Sequence, residues 1–116
     1  ILLLPSVFLE SAGARALAPL ALELGLPVMG VEHTGEEQGL FAIYGITPYD
    51  QGYQAARILA KILSGQKTRN IPVEPPSTLR LTVNLEVAGK LNLTPDPVML
   101  GYADVVYGEG GSALDP

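Results

Sequence analysis

The sequence is short of several residue types, and each shortage excludes a class of function. It contains no cysteine, one histidine and only 16% charged residues among 116. Without cysteine there are no disulfides, thiolate metal sites or thiol nucleophiles. Its apolar runs are all shorter than the roughly 20 residues that a membrane-spanning helix requires. The few lysines and arginines are scattered and the net charge is −5, which argues against nucleic-acid binding, since that requires clustered basic residues.

What the sequence does contain is the material for a hydrophobic core. Hydrophobic residues make up 47% of the chain, which excludes an intrinsically disordered chain at this low charge. The length is that of one ordinary domain. Because the chain opens directly on an apolar run, residues 1–4, we expect it to be a piece of a longer protein.

Short apolar runs alternate with patterns of helical spacing. We predict strands at residues 1–4, 27–31, 40–45 and 78–85. A helix interrupted by Pro19 is predicted between the first two strands, with Ser11 as a possible cap. A second helix follows the third strand, with Thr47 or Asp50 as its cap, and ends at Gly65. The alternation predicts an α/β fold with a mostly parallel sheet.

Polar segments follow three of the predicted strands. They are residues 5–8, 32–38 and 44–50. In open parallel sheets, ligands bind outside the carboxyl ends of the strands. We therefore expect these three segments to converge on one cleft.

The segment 32–38 is the most polar of these and admits a metal-site interpretation. It holds Glu32, His33, Glu36 and Glu37 close together. Carboxylates and imidazole are metal ligands, but a single histidine in a polar loop is equally typical of a solvated surface. We predict no metal and no cofactor.

A catalytic interpretation would combine Ser6, His33 and Glu32 as nucleophile, base and acid. The Gly-x-Ser-x-Gly turn that exposes such a nucleophile is absent around Ser6. The glycine-rich end of the chain lacks the lysine of a phosphate-binding loop. We predict no catalytic residues, and keep a small α/β hydrolase as an alternative.

Two tyrosines flank the end of the third predicted strand. Tyr44 and Tyr49 lie on either side of Thr47. Aromatic faces with a few polar groups are typical of small-ligand sites. The alternative is that Tyr44 packs in the core and Tyr49 in the first turn of a helix.

The order of these motifs resembles the C-terminal half of the bacterial ABC-transporter substrate-binding proteins of periplasmic-binding-protein type I fold. The segments GYQAARILAKILSGQK, IPVE and LTVNLEVAGKLNLT carry the resemblance, which covers roughly residues 1–105. It implies a lobe, or part of one, built as a parallel-sheet three-layer sandwich. It also implies a non-enzymatic receptor at the periplasmic or extracellular face of the membrane. Such a receptor closes two lobes on a small ligand, an amino acid or related molecule, and docks on a membrane permease.

The resemblance also implies a set of ligand-binding positions. They are Ser6, Val7, Glu32, His33, Tyr44, Thr47 and Tyr49. The family usually has an aspartate where this sequence has Thr47, and a tyrosine at Pro48. Thr47 supplies no negative charge for a ligand ammonium, so either Glu32 or Asp50 supplies it or the ligand has no amine.

The same resemblance divides the chain. Residues 1–105 would form part of the C-terminal lobe, with 46–72 crossing to the other lobe, and residues 106–116 would be a flexible tail. The N-terminal lobe would lie outside this chain, leaving an apolar face of the second helix uncovered and open to homodimer formation. A transcription regulator's effector-binding domain has the same fold and is a further alternative.

Overall fold

The structure is a computed structural model that describes residues 1–4, 12–32 and 39–108 of the chain. These residues form four strands and four α-helices, with a short 3₁₀ turn after the second helix. The elements are α1 (Ala14–Glu23), β1 (Met29–Glu32), β2 (Ala42–Ile46), α2 (Pro48–Leu63), the 3₁₀ turn (Thr68–Asn70), β3 (Arg80–Asn84), α3 (Leu85–Lys90), α4 (Pro97–Tyr102) and β4 (Val105–Tyr107). The predicted α/β class is confirmed.

The four strands form one mostly parallel sheet in the order β1-β2-β3-β4. β1 is parallel to β2, and β3 is parallel to β4. β3 is antiparallel to β2, because the chain returns from α2 to the end of the sheet at which it left. The predicted strand 1–4 is shorter than expected and contributes a single parallel bridge, between Leu2 and Met29.

The best-packed part of the core lies between α1 and the sheet. α1 continues through Pro19, where the sequence predicted a kink or a break. It turns three buried alanines inward, Ala14, Ala18 and Ala21. Small side chains allow a helix to approach a sheet closely. The cluster is completed by Leu3, Val28, Leu40 and Ile43.

Local sequence signals set the ends of several elements, and those at Thr47 and Gly65 are as predicted. Gly25 and Gly65 have positive φ just after α1 and α2, the backbone conformation that often ends a helix. Thr47 is the N-cap of α2 and accepts from the Asp50 backbone N–H at 3.1 Å. Asn84 caps α3 and accepts from the Val87 N–H at 3.0 Å. The expected Ser11 cap of α1 lies outside the described residues.

The second helix lies apart from this core. None of the 16 residues of α2 is buried, although its apolar residues recur at helical spacing. Tyr53, Leu59 and Leu63 are more than half exposed. The molecule is accordingly elongated, 55 × 32 × 20 Å, with a radius of gyration of 17.2 Å. A compact domain of this length would have a radius near 13 Å.

Among the helices of the described residues, none combines the length and apolar character needed to cross a bilayer.

Candidate functional site

The carboxyl ends of β1 and β2 lie side by side at one edge of the sheet, here called the strand-tip edge. The two strands are parallel, and their last residue pair is Glu32 with Ile46. Thr47 follows directly. On the other side of β1, the parallel bridge from Leu2 aligns the opening segment in the same direction. The segments that follow these strands therefore start from neighbouring points.

The pairing of β1 with β2 is irregular just before the strand-tip edge. Gly30 pairs with Ile43, but Glu32 pairs with Ile46. Two steps along β1 thus correspond to three along β2, so β2 carries one extra residue here. Bulges of this kind re-aim side chains and are frequent near binding sites.

Tyr44 lies within this irregular stretch. It is 50% exposed, although Ile43 and Gly45 on either side of it are buried. Its partner on the neighbouring strand β3 is Leu81. A half-exposed aromatic ring in the middle of an otherwise buried strand presents one apolar face to whatever occupies the adjoining space. The alternative, that Tyr44 is a core residue, is wrong.

A polar cluster formed by Thr47, Asp50 and Arg80 lies where β2 ends and β3 begins. The Thr47 hydroxyl donates to Asp50 Oδ2 at 2.7 Å, and Arg80 Nε donates to the same oxygen at 3.3 Å. The Asp50 side chain is only 17% exposed, whereas that of Arg80 is 47% exposed. Arg80 is placed for this contact by its pairing with Gly45 across the two strands.

Tyr49 lies in the first turn of α2 and is 79% exposed. The expectation that it belongs to that turn is confirmed. Its ring is therefore accessible to solvent two residues after Thr47.

A second polar network ties α2 to the extended segment 71–77. Gln54 Nε2 donates to the Pro75 carbonyl at 2.9 Å, and the Gln54 side-chain oxygen accepts from the Ser77 N–H at 3.1 Å. The Glu74 carboxylate accepts a hydrogen bond from Gln54 and forms ion pairs with Arg57 at 3.2 Å and Lys61 at 3.6 Å. The hydrogen bond from Gln54 is the main cause that lowers the pKa of Glu74; desolvation opposes it, and the positive charges of Lys61 and Arg57 lower the pKa further.

This network borders an open groove of about 240 Å³. Ile46, Ile58 and Pro76 contribute apolar walls, and Gln54 and Glu74 contribute polar ones. Its lining thus includes Ile46, the last residue of β2, together with residues of α2.

Of the seven predicted ligand-binding residues, the structure describes Glu32, Tyr44, Thr47 and Tyr49. Ser6, Val7 and His33 lie outside the described residues, as do Glu36 and Glu37 of the metal-site interpretation. The backbone of Glu32 ends β1 beside Ile46, and the structure brings it to the same edge as Thr47. Within 1–4, 12–32 and 39–108, no group of three histidines or carboxylates could hold a metal ion.

Sequence reasoning missed Arg80 as a partner of the candidate site. Thirty residues separate it from Asp50, and no local pattern links the two. The available signal was its position near the start of an alternating strand. It could not be used because the antiparallel pairing of β2 with β3, which sets Arg80 beside Gly45, was not foreseen.

An α/β lobe with polar segments at neighbouring strand ends belongs to a broad class of ligand-binding folds. Comparison with sequence families is specific: the profile of the family described as "ABC transporter substrate binding protein" matches residues 11–107. The chain therefore belongs to the ABC transporter substrate-binding protein family, and the resemblance inferred from the motifs is confirmed.

Solved structures show the same fold. A conserved domain protein from Vibrio cholerae O1 biovar El Tor matches with a TM-score of 0.70 and 25% identity, over 82% of this chain and 32% of its own. An ABC domain from Streptococcus pneumoniae in complex with L-Trp matches with a TM-score of 0.69 and 23% identity, over 82% and 33%. A ligand-free, open substrate-binding protein with adhesive properties from Clostridium difficile matches at 0.58 and 24%, over 77% and 30%.

The chain thus spans about a third of the length of the solved structures it matches. A search of curated proteins finds no significant match.

Proposed function

We propose that the protein is the solute-binding component of an ABC-type import system and is not an enzyme. Its ligand is a small organic molecule, an amino acid or a relative of one, held between two lobes. The observation that carries the proposal is the parallel pairing of β1 with β2 up to Glu32 and Ile46. This pairing supports the proposal because it brings the end of β1 beside the start of the segment that follows β2, in a lobe of a substrate-binding family.

The second lobe would be supplied by polypeptide outside this chain. The matched structures are about three times as long as the matched region, and α2 buries none of its residues in this lobe. We propose that residues 46–72 cross to the other lobe and that its core covers the apolar face of α2. The ligand would stabilise the closed arrangement by touching both lobes.

The character of the ligand follows from the polar cluster and the tyrosines. Asp50 is bound by the Thr47 hydroxyl and paired with Arg80, so its charge is already compensated. We propose that Asp50 does not bind a ligand ammonium and that Glu32 remains the candidate carboxylate for that role. Tyr44 and Tyr49 would offer aromatic faces, and the Streptococcus pneumoniae neighbour holds L-Trp. Aromatic amino acids are therefore the first compounds to test.

The partner of such a receptor is the permease of an ABC transporter, which recognises the closed, ligand-bound form. We propose that the protein works at the periplasmic or extracellular face of a bacterial membrane. The effector-binding and hydrolase alternatives have no observation among the described residues that favours them.

A thermal-shift screen of the complete protein tests the proposal. The panel should contain the twenty amino acids, short peptides and small carboxylates. A ligand at 100 times its dissociation constant adds about 2.7 kcal/mol of stability, which is readily measured. Absence of a shift with every compound would contradict a solute-binding role, and ester hydrolysis that disappears in His33→Ala would replace it with the enzymatic alternative.

A further inference from the structure

Three neighbouring strands meet at the strand-tip edge, and the third brings a basic residue to it. Glu32 ends β1 and pairs with Ile46, the last residue of β2. Gly45, the residue before Ile46, pairs with Arg80 on the other side. Arg80 is the first residue of β3, which runs antiparallel to β2 and therefore starts where β2 ends. Since adjacent strands lie about 4.8 Å apart, the backbones of Glu32 and Arg80 are about 10 Å apart along this edge.

The backbone at the start of β3 is held from both sides. Arg80 is paired with Gly45 on β2. The next residue, Leu81, donates its N–H to Asp104 Oδ2 at 2.7 Å, and its carbonyl accepts the Asp104 N–H at 2.8 Å. Asp104 directly precedes β4. The Arg80 side chain therefore extends from a backbone whose position is set before any ligand arrives, as a precise binding contact requires.

The Arg80 side chain is also held, yet it stays accessible. Arg80 Nε donates to Asp50 Oδ2 at 3.3 Å, and the Thr47 hydroxyl donates to the same oxygen at 2.7 Å. The arginine side chain is 47% exposed, whereas that of Asp50 is 17% exposed. A guanidinium group has five N–H donors in a rigid fork and serves more than one acceptor. Of the two charged partners, Arg80 is thus the one that a ligand can reach more readily.

Within the described part of the chain, Arg80 has no basic counterpart on another strand. All seven lysines and arginines lie in that part, and Arg80 alone among them belongs to a strand. The other six lie on helices or at the 3₁₀ turn: Arg15 on α1, Arg57 and Lys61 on α2, Lys67 and Arg69 at the turn, and Lys90 on α3. Three of these form ion pairs away from the strand-tip edge, with Glu74 and Glu86. The positive charge that the sheet itself carries therefore lies at the strand-tip edge.

We propose that Arg80 binds the carboxylate group of the ligand, given the solute-binding function proposed above. A carboxylate matches the guanidinium fork with two parallel hydrogen bonds, and the contact with Asp50 keeps that fork oriented. The ligand's ammonium, where it has one, would lie toward the tip of β1, for which Glu32 is the proposed partner. Arg80 therefore selects amino acids and small carboxylic acids over the corresponding amines and amides.

Pairs of compounds that differ only in the carboxylate test this role in the complete protein. Each carboxylate compound of the thermal-shift panel is paired with its carboxamide, which keeps the shape and loses the negative charge. Calorimetric titration then gives both dissociation constants for every pair of which either member shifts the melting temperature. In the wild type, we expect the carboxylate to bind about 10- to 150-fold more tightly, the range for a hydrogen bond to a charged group. Equal binding of the two compounds would overturn the role of Arg80.

Two substitutions of Arg80 separate its charge from its shape. Arg80→Gln should abolish most of the preference, because the carboxylate loses its charged partner while the dissociation constant of the carboxamide changes little. Arg80→Lys keeps a positive charge beside Asp50 but lacks the fork, so it should fold and retain only part of the preference. An unchanged preference in Arg80→Gln, or in Arg80→Lys where the glutamine variant fails to fold, would overturn the proposal.

Arg69→Gln is the matched control. Arg69 is an exposed arginine of the 3₁₀ turn, and its substitution changes the net charge by the same amount. The preference for the carboxylate should stay as in the wild type. Its loss in this variant would count against Arg80, because net charge alone would then account for the effect.

The two proposals fail in different ways. Absence of binding by every compound contradicts the solute-binding function. Binding with a preference for the carboxylate that survives in the Arg80 variants contradicts only the role of Arg80.

Discussion

Glu32 and Ile46 are paired as the last residues of two parallel strands. Their pairing places the end of β1 beside the start of the segment that contains Thr47 and Tyr49. Tyr44 lies in the irregular stretch of β2 just before this point. The end of β1 is therefore close along the sheet to Tyr44 and to the start of the segment that follows β2.

Tyr44→Ala is expected to weaken ligand binding by about tenfold, which corresponds to about 1.4 kcal/mol. The ring is 50% exposed, so its loss should change the stability of the unliganded protein little. Calorimetric titration with the strongest compound of the thermal-shift screen measures the effect. Tyr102→Ala is the matched control, because Tyr102 is 77% exposed on α4, beside the opposite edge strand. Equal affinities of the two variants would contradict a ligand-facing Tyr44.

Thr47→Ala should destabilise the protein by about 1 kcal/mol, the usual cost of losing an N-cap side chain. The variant loses the hydrogen bond from the Asp50 N–H to the Thr47 hydroxyl, 3.1 Å, and the one from that hydroxyl to Asp50 Oδ2, 2.7 Å. Urea unfolding measures the change. Thr47→Ser retains the hydroxyl and should recover most of the stability; a serine variant as unstable as the alanine variant would assign the effect to the lost methyl group instead.

Acidification should release the segment 71–77 from α2. Hydrogen bonding by Gln54 and the charges of Lys61 and Arg57 lower the pKa of Glu74 below its ordinary value of 4.5. The ionised carboxylate therefore stabilises the folded chain fully above pH 4.5, and this contribution is lost as the pH falls through the lowered pKa.

Hydrogen exchange at the Ser77 amide reports this release locally, because that N–H donates to Gln54. In the wild type its protection should fall on acidification. Glu74→Gln should reduce the protection at neutral pH and remove most of its dependence on acid. The control is Glu86→Gln, which removes a carboxylate whose pKa is lowered by Lys90 on α3; a change at Ser77 in that variant would refute a local cause.

Two glycine-to-alanine changes should have opposite signs. Gly39 has a φ of +93°, and an added Cβ would lie 3.0 Å from the Ala18 Cβ. Gly39→Ala should therefore destabilise the protein by about 1–3 kcal/mol. Gly52 lies within α2 with nothing within 4 Å of an added Cβ, so Gly52→Ala should stabilise the helix by up to about 1 kcal/mol. Thermal unfolding of both variants gives the signs, and a stabilised Gly39→Ala would show that the turn is not strained.

Local signals in the sequence determined where most elements begin and end. Thr47 and Asn84 cap α2 and α3 because their side chains accept backbone N–H groups three residues on. Gly25 and Gly65 follow helices because they adopt positive φ without steric cost. Alternation of strands and helices was likewise sufficient for the α/β class. Pro19 is the exception, since packing of the α1 alanines against the sheet holds the helix together through it.

The candidate site was only partly within reach of the sequence. The segments after β1 and β2 could be placed at one edge, because parallel strands point their carboxyl ends the same way. Whether Tyr44 is exposed could not be read from an apolar run, since burial depends on what lies across the sheet. The role of Arg80 also escaped, because its partner Asp50 is thirty residues distant.

By itself, then, the sequence determined the family through the order of its motifs, and the cap of α2 and its end through contacts within a few residues. Only the tertiary structure decided that β3 runs antiparallel to β2, that Arg80 meets Asp50 and that α2 buries none of its residues in this lobe. These are long-range arrangements. Their energies arise when distant segments meet, and no local pattern encodes the partner that each segment finds.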